Sequence, residues 1–292
     1  IYAPASQLES RFDPRVDADA SAVFGQATFA LTPGVAVTAG LRYTHERKII
    51  DNAFGRYPID SPTTLVSGSS YSYTDAISHD AWTPKFGLEI RASENAMAYV
   101  SATRGFKSGG FNITSPEAGR GFAPEWAWSY EGGLKTVVGG GRARLNVAAC
   151  QTNYSDLQVQ TTIPPSGLDI SNAAAATIRG VELEATTLVR DTVHLGGHLA
   201  WLDATYDQYL ATGVGGVTSD VAGRRVNNSP EWSGRVWIDG ICTIGRASSL
   251  SLRADSTWKT TVFFTPFNDS LQRQRPIGLL DISAEFRPTR RR

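Results

Sequence analysis

The feature that most constrains this chain is a two-residue alternation of apolar and polar side chains that recurs along nearly its whole length. A period of two places successive residues on opposite faces of a strand, and a helix cannot satisfy it. Between Leu250 and Lys259, one face carries Leu250, Leu252, Ala254 and Trp258, and the other Ser251, Arg253, Asp255, Thr257 and Lys259. Val35, Val37, Ala39, Leu41 and Tyr43 oppose Thr38, Gly40, Arg42 and Thr44 in the same way. So do Leu280, Ile282, Ala284 and Phe286 against Asp281, Ser283, Glu285 and Arg287. The charges keep to one side.

About eleven such segments are bounded by Gly, Pro, Asn and Asp. They lie near 20–31, 35–48, 82–92, 96–107, 125–137, 142–160, 175–188, 192–207, 230–242, 248–262 and 276–287. Short turns at Thr32-Pro33-Gly34, Ser93-Glu94-Asn95, Gly139-Gly140-Gly141, Val189-Arg190-Asp191 and Ile244-Gly245-Arg246 alternate with long polar or Gly-rich loops. The loops occupy 49–81, 108–124, 161–174, 208–229 and 263–275. One rim trimmed and the other elaborated is the layout of an antiparallel transmembrane β-barrel, so the expected fold is all-β. Several segments reach the roughly nine to eleven residues a tilted membrane strand needs. Trp126, Trp128 and Tyr130 share one face, and Trp232 and Trp258 lie near other strand ends, as an aromatic girdle would require.

Composition narrows the class. Lys plus Arg and Asp plus Glu are equal at 28, so no basic field recruits nucleic acid. No run approaches about 18 apolar residues, which excludes a helical span and leaves a barrel open. Cys150 and Cys242 sit in strand-like segments and read as inert, unpaired thiols. The chain opens on Ile1-Tyr2-Ala3-Pro4 without a charged-then-apolar leader and closes on Arg290-Arg291-Arg292, so a secretion signal is expected to lie outside it.

Individual stretches are also familiar. Trp82-Thr83-Pro84-Lys85-Phe86-Gly87-Leu88-Glu89 is followed by Tyr99-Val100-Ser101-Ala102-Thr103-Arg104-Gly105-Phe106-Lys107-Ser108-Gly109-Gly110-Phe111-Asn112. Then come Pro124-Glu125, Ser129-Tyr130-Glu131-Gly132-Gly133-Leu134-Lys135, Tyr154-Ser155-Asp156-Leu157-Gln158-Val159-Gln160 and Arg179-Gly180-Val181-Glu182-Leu183-Glu184. In order and spacing these resemble the barrel of TonB-dependent outer-membrane receptors over nearly the whole chain. The resemblance implies a barrel of about 22 strands, of which residues 1–292 would form a partial barrel domain. The plug domain, the TonB box and the last strands are expected to lie outside it. An open sheet leaves backbone groups unpaired in lipid, so the piece alone is expected not to insert as a monomer.

For function, the resemblance implies uptake of a scarce nutrient in the outer membrane of a Gram-negative bacterium. The nutrient would most often be a ferric siderophore, imported with energy from the TonB complex and without a cofactor. The expected partners are outer-membrane lipid, the small ligand and the TonB complex, with no nucleic acid. Arg104, Lys107, Phe111, Arg120, Phe122 and Trp126 combine positive charge with aromatic planes around one long loop, and are the candidate ligand contacts. Arg42, Lys135, Glu131, Glu182, Glu184, Arg253 and Asp255 are assigned to the barrel interior.

Other chemistry is sparse. His194 and His198 share a strand face but lie about 13 Å apart, too far to chelate one metal. His45 and His79 flank a long loop and read as solvated. Gly139-Gly140-Gly141-Arg142 lacks the Lys-Ser/Thr of a phosphate loop. Asn112-Ile113-Thr114 matches a glycosylation acceptor that a bacterial barrel leaves idle. No catalytic constellation or metal box stands out, so an enzyme is not expected. Two rivals remain: a passive porin, and a soluble all-β protein with glycan-binding loops, whose apolar face would meet a second protein layer.

Overall fold

The computed structural model describes residues 8–113, 121–163, 167–213, 216–244 and 248–288, with backbone alone at 161–163 and 167–169. Its strands are β1 (Leu8–Thr32), β2 (Val35–Pro58), β3 (Tyr71–Ser93), β4 (Ala96–Lys107), β5 (Gly110–Phe111), β6 (Gly121–Phe122), β7 (Glu125–Val138), β8 (Ala143–Ile163), β9 (Gly167–Arg190), β10 (Val193–Thr212), β11 (Thr218–Asp220), β12 (Trp232–Ile244), β13 (Ser248–Lys259), β14 (Val262–Phe263), β15 (Arg273–Gln274) and β16 (Ile277–Arg287). The long strands form one antiparallel meander, β1-β2-β3-β4-β7-β8-β9-β10-β12-β13-β16. Each alternating segment of the sequence is one of these strands. β1 and β16 each have a single neighbour, so the barrel is not closed within this chain.

Register carries the two faces across the whole sheet. Leu41 shares its face with Pro84, Phe86 with Ala102, and Ala102 with Tyr130. The same face continues through Leu134, Val147, Leu183, Leu199 and Gly234 to Trp258, then from Ala254 to Ile282. It is apolar, and among the described residues no second layer covers it: Val236 is 56% exposed and Ile282 74%. A contiguous apolar surface of this extent suits hydrocarbon, so the layered soluble alternative is not favoured.

The opposite face holds Arg42, Lys85, Glu89, Glu131, Lys135, Glu182, Glu184, Arg235, Arg253 and Asp255, as the alternation requires. There Arg235 forms a fork with Asp255, and Arg253 reaches Asp239 at 3.7 Å while lying 5.1 Å over the Trp237 ring.

Aromatic residues collect on the apolar face toward the long loops. The rings of Tyr43 and Trp82 are 4.8 Å apart, those of Trp128 and Tyr130 6.1 Å, and Trp201 is the register partner of Trp232. These rings mark the upper edge of the hydrocarbon band.

The strands outrun the sequence expectation. β2 extends ten residues past its expected end at 48, and β3 begins at Tyr71, so the 49–81 loop is mostly ladder. β8 and β9 likewise take most of 161–174, and β10 enters 208–229. Above the girdle both faces meet water or protein, so alternation fades while the backbone ladder continues. Cross-strand aromatics support that ladder, with Phe12–Phe54 rings at 4.7 Å and Phe54–Tyr71 at 4.9 Å.

Four of the five expected turns are observed. Gly139, Gly140 and Gly141 all adopt positive φ, which a side chain would resist. The fifth, at Ile244-Gly245-Arg246, lies mostly outside the described residues.

Candidate functional site

Among the described residues, the buried apolar side chains cluster at the long-loop end. Val159, Ala174, Ala176, Tyr206, Tyr209, Ala211 and Val221 form a core, with Tyr154, Leu157, Val226 and Phe267 packed against it. These elements stand above the hydrocarbon band and have no lipid to cover them, so they bring their own apolar partners. The loop at 221–229 folds back on β10, Val226 donating its N–H to the Ala204 carbonyl at 2.9 Å. Asn268, held in the left-handed region at φ 51°, clasps the Arg225 backbone from the neighbouring loop at 2.9 Å on both sides of its amide.

Between these loops and the upper ends of β8 and β10 lies a cleft of about 730 Å³. Tyr206, Tyr209, Phe264 and Phe267 give it aromatic walls, and Gln158, Gln160, Asn227 and Gln272 line it with amides. The Tyr206 and Tyr209 rings tilt together at 5.2 Å, and the Tyr206 hydroxyl donates to Asn227 Oδ1 at 2.6 Å. Burial pushes the Tyr206 phenol up to about 12, so it stays a neutral donor. The volume falls within the roughly 300–1,000 Å³ of small-molecule sites.

A second device borders the cleft. Residues 108–113 and 121–124 between β4 and β7, which carry the small β5–β6 ribbon, lie against the polar face as a strap. Lys48 Nζ on β2 donates to Ser108 Oγ at 3.0 Å and the Gly109 carbonyl at 2.7 Å, and Asn52 Nδ2 donates to the Ile113 carbonyl at 2.9 Å. From the other side, the Asn112 amide pairs with both backbone groups of Ile170 on β9, at 2.8 and 2.7 Å. Asn172 does the same for Ala123, and Gln158 Nε2 donates to the Ser108 and Ala123 carbonyls at 2.9 and 3.1 Å. β2 and β9 are five strand spacings apart, roughly 24 Å if the sheet were flat. The adjacent residues Ile113 and Asn112 reach β2 and β9 respectively only because the sheet curls with its polar face inward. Gly109 permits the close approach, since a Cβ there would collide with the Phe122 carbonyl and the His79 ring.

Register divides the residues singled out in the sequence. Arg104 and Trp126 lie on the apolar face at the girdle, the guanidinium 4.0 Å over the indole, with Phe106 at 5.6 Å from the same ring. Lys107 is exposed on the polar face opposite Glu125. Phe111 and Phe122 are half-buried in the strap ribbon. Arg120 lies outside the described residues.

The reading of His45 and His79 as loop-flanking is corrected, because both sit inside the extended β2–β3 ladder. His45 Nδ1 bonds Asp80 at 2.8 Å on the apolar side above Tyr43, whereas His79 points inward with Nε2 buried. Asn112 is fully used by Ile170, so it offers nothing to a glycan. The cleft residues themselves went unrecognised in the sequence. The available signal was Tyr206 and Tyr209 closing a strand that then runs into a Gly-rich loop.

A curled antiparallel sheet, apolar outside, charged within, and carrying a cleft at its elaborated rim, defines a wall segment of a membrane β-barrel. Comparison with known proteins agrees. The family model described as TonB dependent receptor-like, beta-barrel matches residues 1–292, and the chain belongs to that family, whose members reside in the outer membrane of Gram-negative bacteria.

Among curated proteins, it is 27% identical over 171 residues to the metal-pseudopaline receptor CntO of Pseudomonas aeruginosa, covering 57% of this chain and 23% of that one. Its fold is similar to the ferric yersiniabactin uptake receptor FyuA of Yersinia pestis, with a TM-score of 0.77, 20% identity, and coverage of 95% of this chain and 39% of that one. For the siderophore receptor PiuA of Acinetobacter baumannii the TM-score is 0.72 at 17% identity, with 94% and 37% covered. The chain thus spans about a quarter of the curated relative's length.

Proposed function

We propose that the full-length protein is an active importer that captures a small metal chelate, in the first instance a ferric siderophore, at the outer rim of its barrel. The chelate rests in the cleft beside the strap and is passed inward by a step that the TonB complex energises through the protein's N-terminal region. No bond of the ligand is made or broken. The observation that carries this reading is the 730 Å³ cleft on the polar face, at the end where the long loops converge. Gln158 belongs to both the cleft lining and the strap tether, so a ligand in the cleft would touch the residue that anchors the loop.

In this reading Lys107, Phe111 and Phe122 border the ligand path. Arg104 over Trp126 instead anchors the wall at the lipid–water boundary. Three relatives named as receptors for metal chelates or siderophores support the ligand class.

The test is radioiron uptake by iron-starved cells carrying the full-length gene. Uptake should stop when TonB is deleted or the proton-motive force is collapsed. Uptake that continues undiminished would favour a passive porin and overturn the proposal.

A further inference from the structure

The charge of the cleft carries a conclusion about what it accepts. Its lining among the described residues contains no Lys, Arg or His, and its one ionisable acid is Asp269. The four arginines of the neighbouring loops, Arg224, Arg225, Arg273 and Arg275, are not among the lining residues. Arg224 is bonded to the Phe267 carbonyl, and Arg225 to the Leu202 carbonyl at 3.0 Å and to Glu231 at 3.5 Å.

An anion entering such a cleft exchanges its hydration for amides, aromatic faces and one like charge, with no ion pair in return. A neutral or cationic guest finds the reverse. Aromatic rings attract cations, side-chain amides and hydroxyls match hydroxamate or hydroxyl groups, and Asp269 supplies a counter-charge.

We infer that this cleft selects neutral or cationic chelates bearing hydroxyl or amide groups and an apolar face, and rejects polyanionic ones. The inference rests on the proposed placing of the ligand in the cleft. It also departs from what the Arg104, Lys107 and Arg120 cluster suggests by itself, which is an anionic ligand.

The experiment is equilibrium binding to the full-length receptor in outer-membrane vesicles, using three probes: a monocationic ferric trihydroxamate, a neutral ferric trihydroxamate and a trianionic ferric tricatecholate. The hydroxamates should bind at least about tenfold tighter than the catecholate. Gln160→Arg and Gln272→Lys should each narrow that ratio, and Asp269→Asn should weaken the cationic probe while sparing the neutral one. Tighter catecholate binding that still responds to the Gln160 and Gln272 substitutions overturns the charge rule and leaves the cleft as the site. Binding that ignores all three substitutions overturns the placing of the ligand. Failure of either hydroxamate to bind overturns the inference outright.

Discussion

Below the aromatic girdle, the sheet has no buried core among the described residues; above it, the same sheet builds one. Leu41, Phe86, Val100, Leu134, Val236, Leu252 and Ile282 lie open on the lower band, whereas Val159, Ala176, Tyr206, Tyr209 and Val221 are buried in the extension. Strand chemistry is continuous across the boundary, and only the surrounding medium changes. In the band, hydrocarbon takes the place of a second protein layer, so stability rests on closing the backbone ladder and on keeping charge off one face. In the extension water returns, so loops 221–229 and 263–275 and the strap residues 108–113 and 121–124 fold inward to supply apolar and polar partners. Those inward folds create the cleft. Cleft and core are thus two consequences of the strands continuing past the lipid.

The largest expected effect lies in the extension. Tyr206→Ala should cost about 3–5 kcal/mol of local stability, because it removes a buried ring from the core and the partner of Asn227. Hydrogen exchange should show loops 221–229 and 263–275 opening while β12 and β13 stay protected. Opening of the whole sheet would mean that band and extension form one cooperative unit.

Next comes a pair within the band. Leu252→Arg, on the lipid side, should destabilise folding into bilayers by about 2–4 kcal/mol, and Ser251→Arg, on the polar side, by about 0.5 kcal/mol or less. Urea titration of the full-length protein in vesicles reads both, and equal costs would erase the distinction between the faces.

Asn172→Ala should cost about 0.5–1.5 kcal/mol by removing its two hydrogen bonds to the exposed Ala123 backbone, whose carbonyl keeps Gln158, seen as faster protease cleavage in 108–124 with unchanged heat-modifiable gel migration. The smallest effect belongs to the girdle. Arg104→Lys should cost about 0.5–1 kcal/mol, since an ammonium stacks less well on Trp126, with chelate uptake preserved. A large uptake defect in that variant would return Arg104 to the ligand path.

How far the sequence could be read follows the same boundary. In the band, one face must be apolar and the other wet, so the pattern in Leu250–Lys259 or Val35–Thr44 is strict and both strands and faces were legible. Above Trp82 and Trp201 that constraint lapses. Asn52 and Tyr73 are strand residues with inward partners and His79 is a strand residue pointing inward, yet they look like loop because nothing forces them to alternate. The strap depends on side-chain amides of Asn112, Gln158 and Asn172 imitating backbone, a contact between residues some 50 positions apart in sequence. The candidate contacts Arg104, Lys107 and Trp126 flank one loop in the sequence, but the strand period sends the first and last to the apolar face and the second to the interior.

The claim on which the account turns is that hydrocarbon borders the apolar side of the strands. Its most direct test is a nitroxide scan of residues 249–258 on β13 in the full-length receptor in bilayers, with Cys150 and Cys242 first replaced by Ser. The account predicts a period of two, with lipid-soluble oxygen reaching labels at Leu250, Leu252 and Ala254 and a water-soluble nickel chelate reaching those at Ser251, Arg253 and Asp255. Labels that respond to both reagents without alternation, or in the opposite phase, would contradict it.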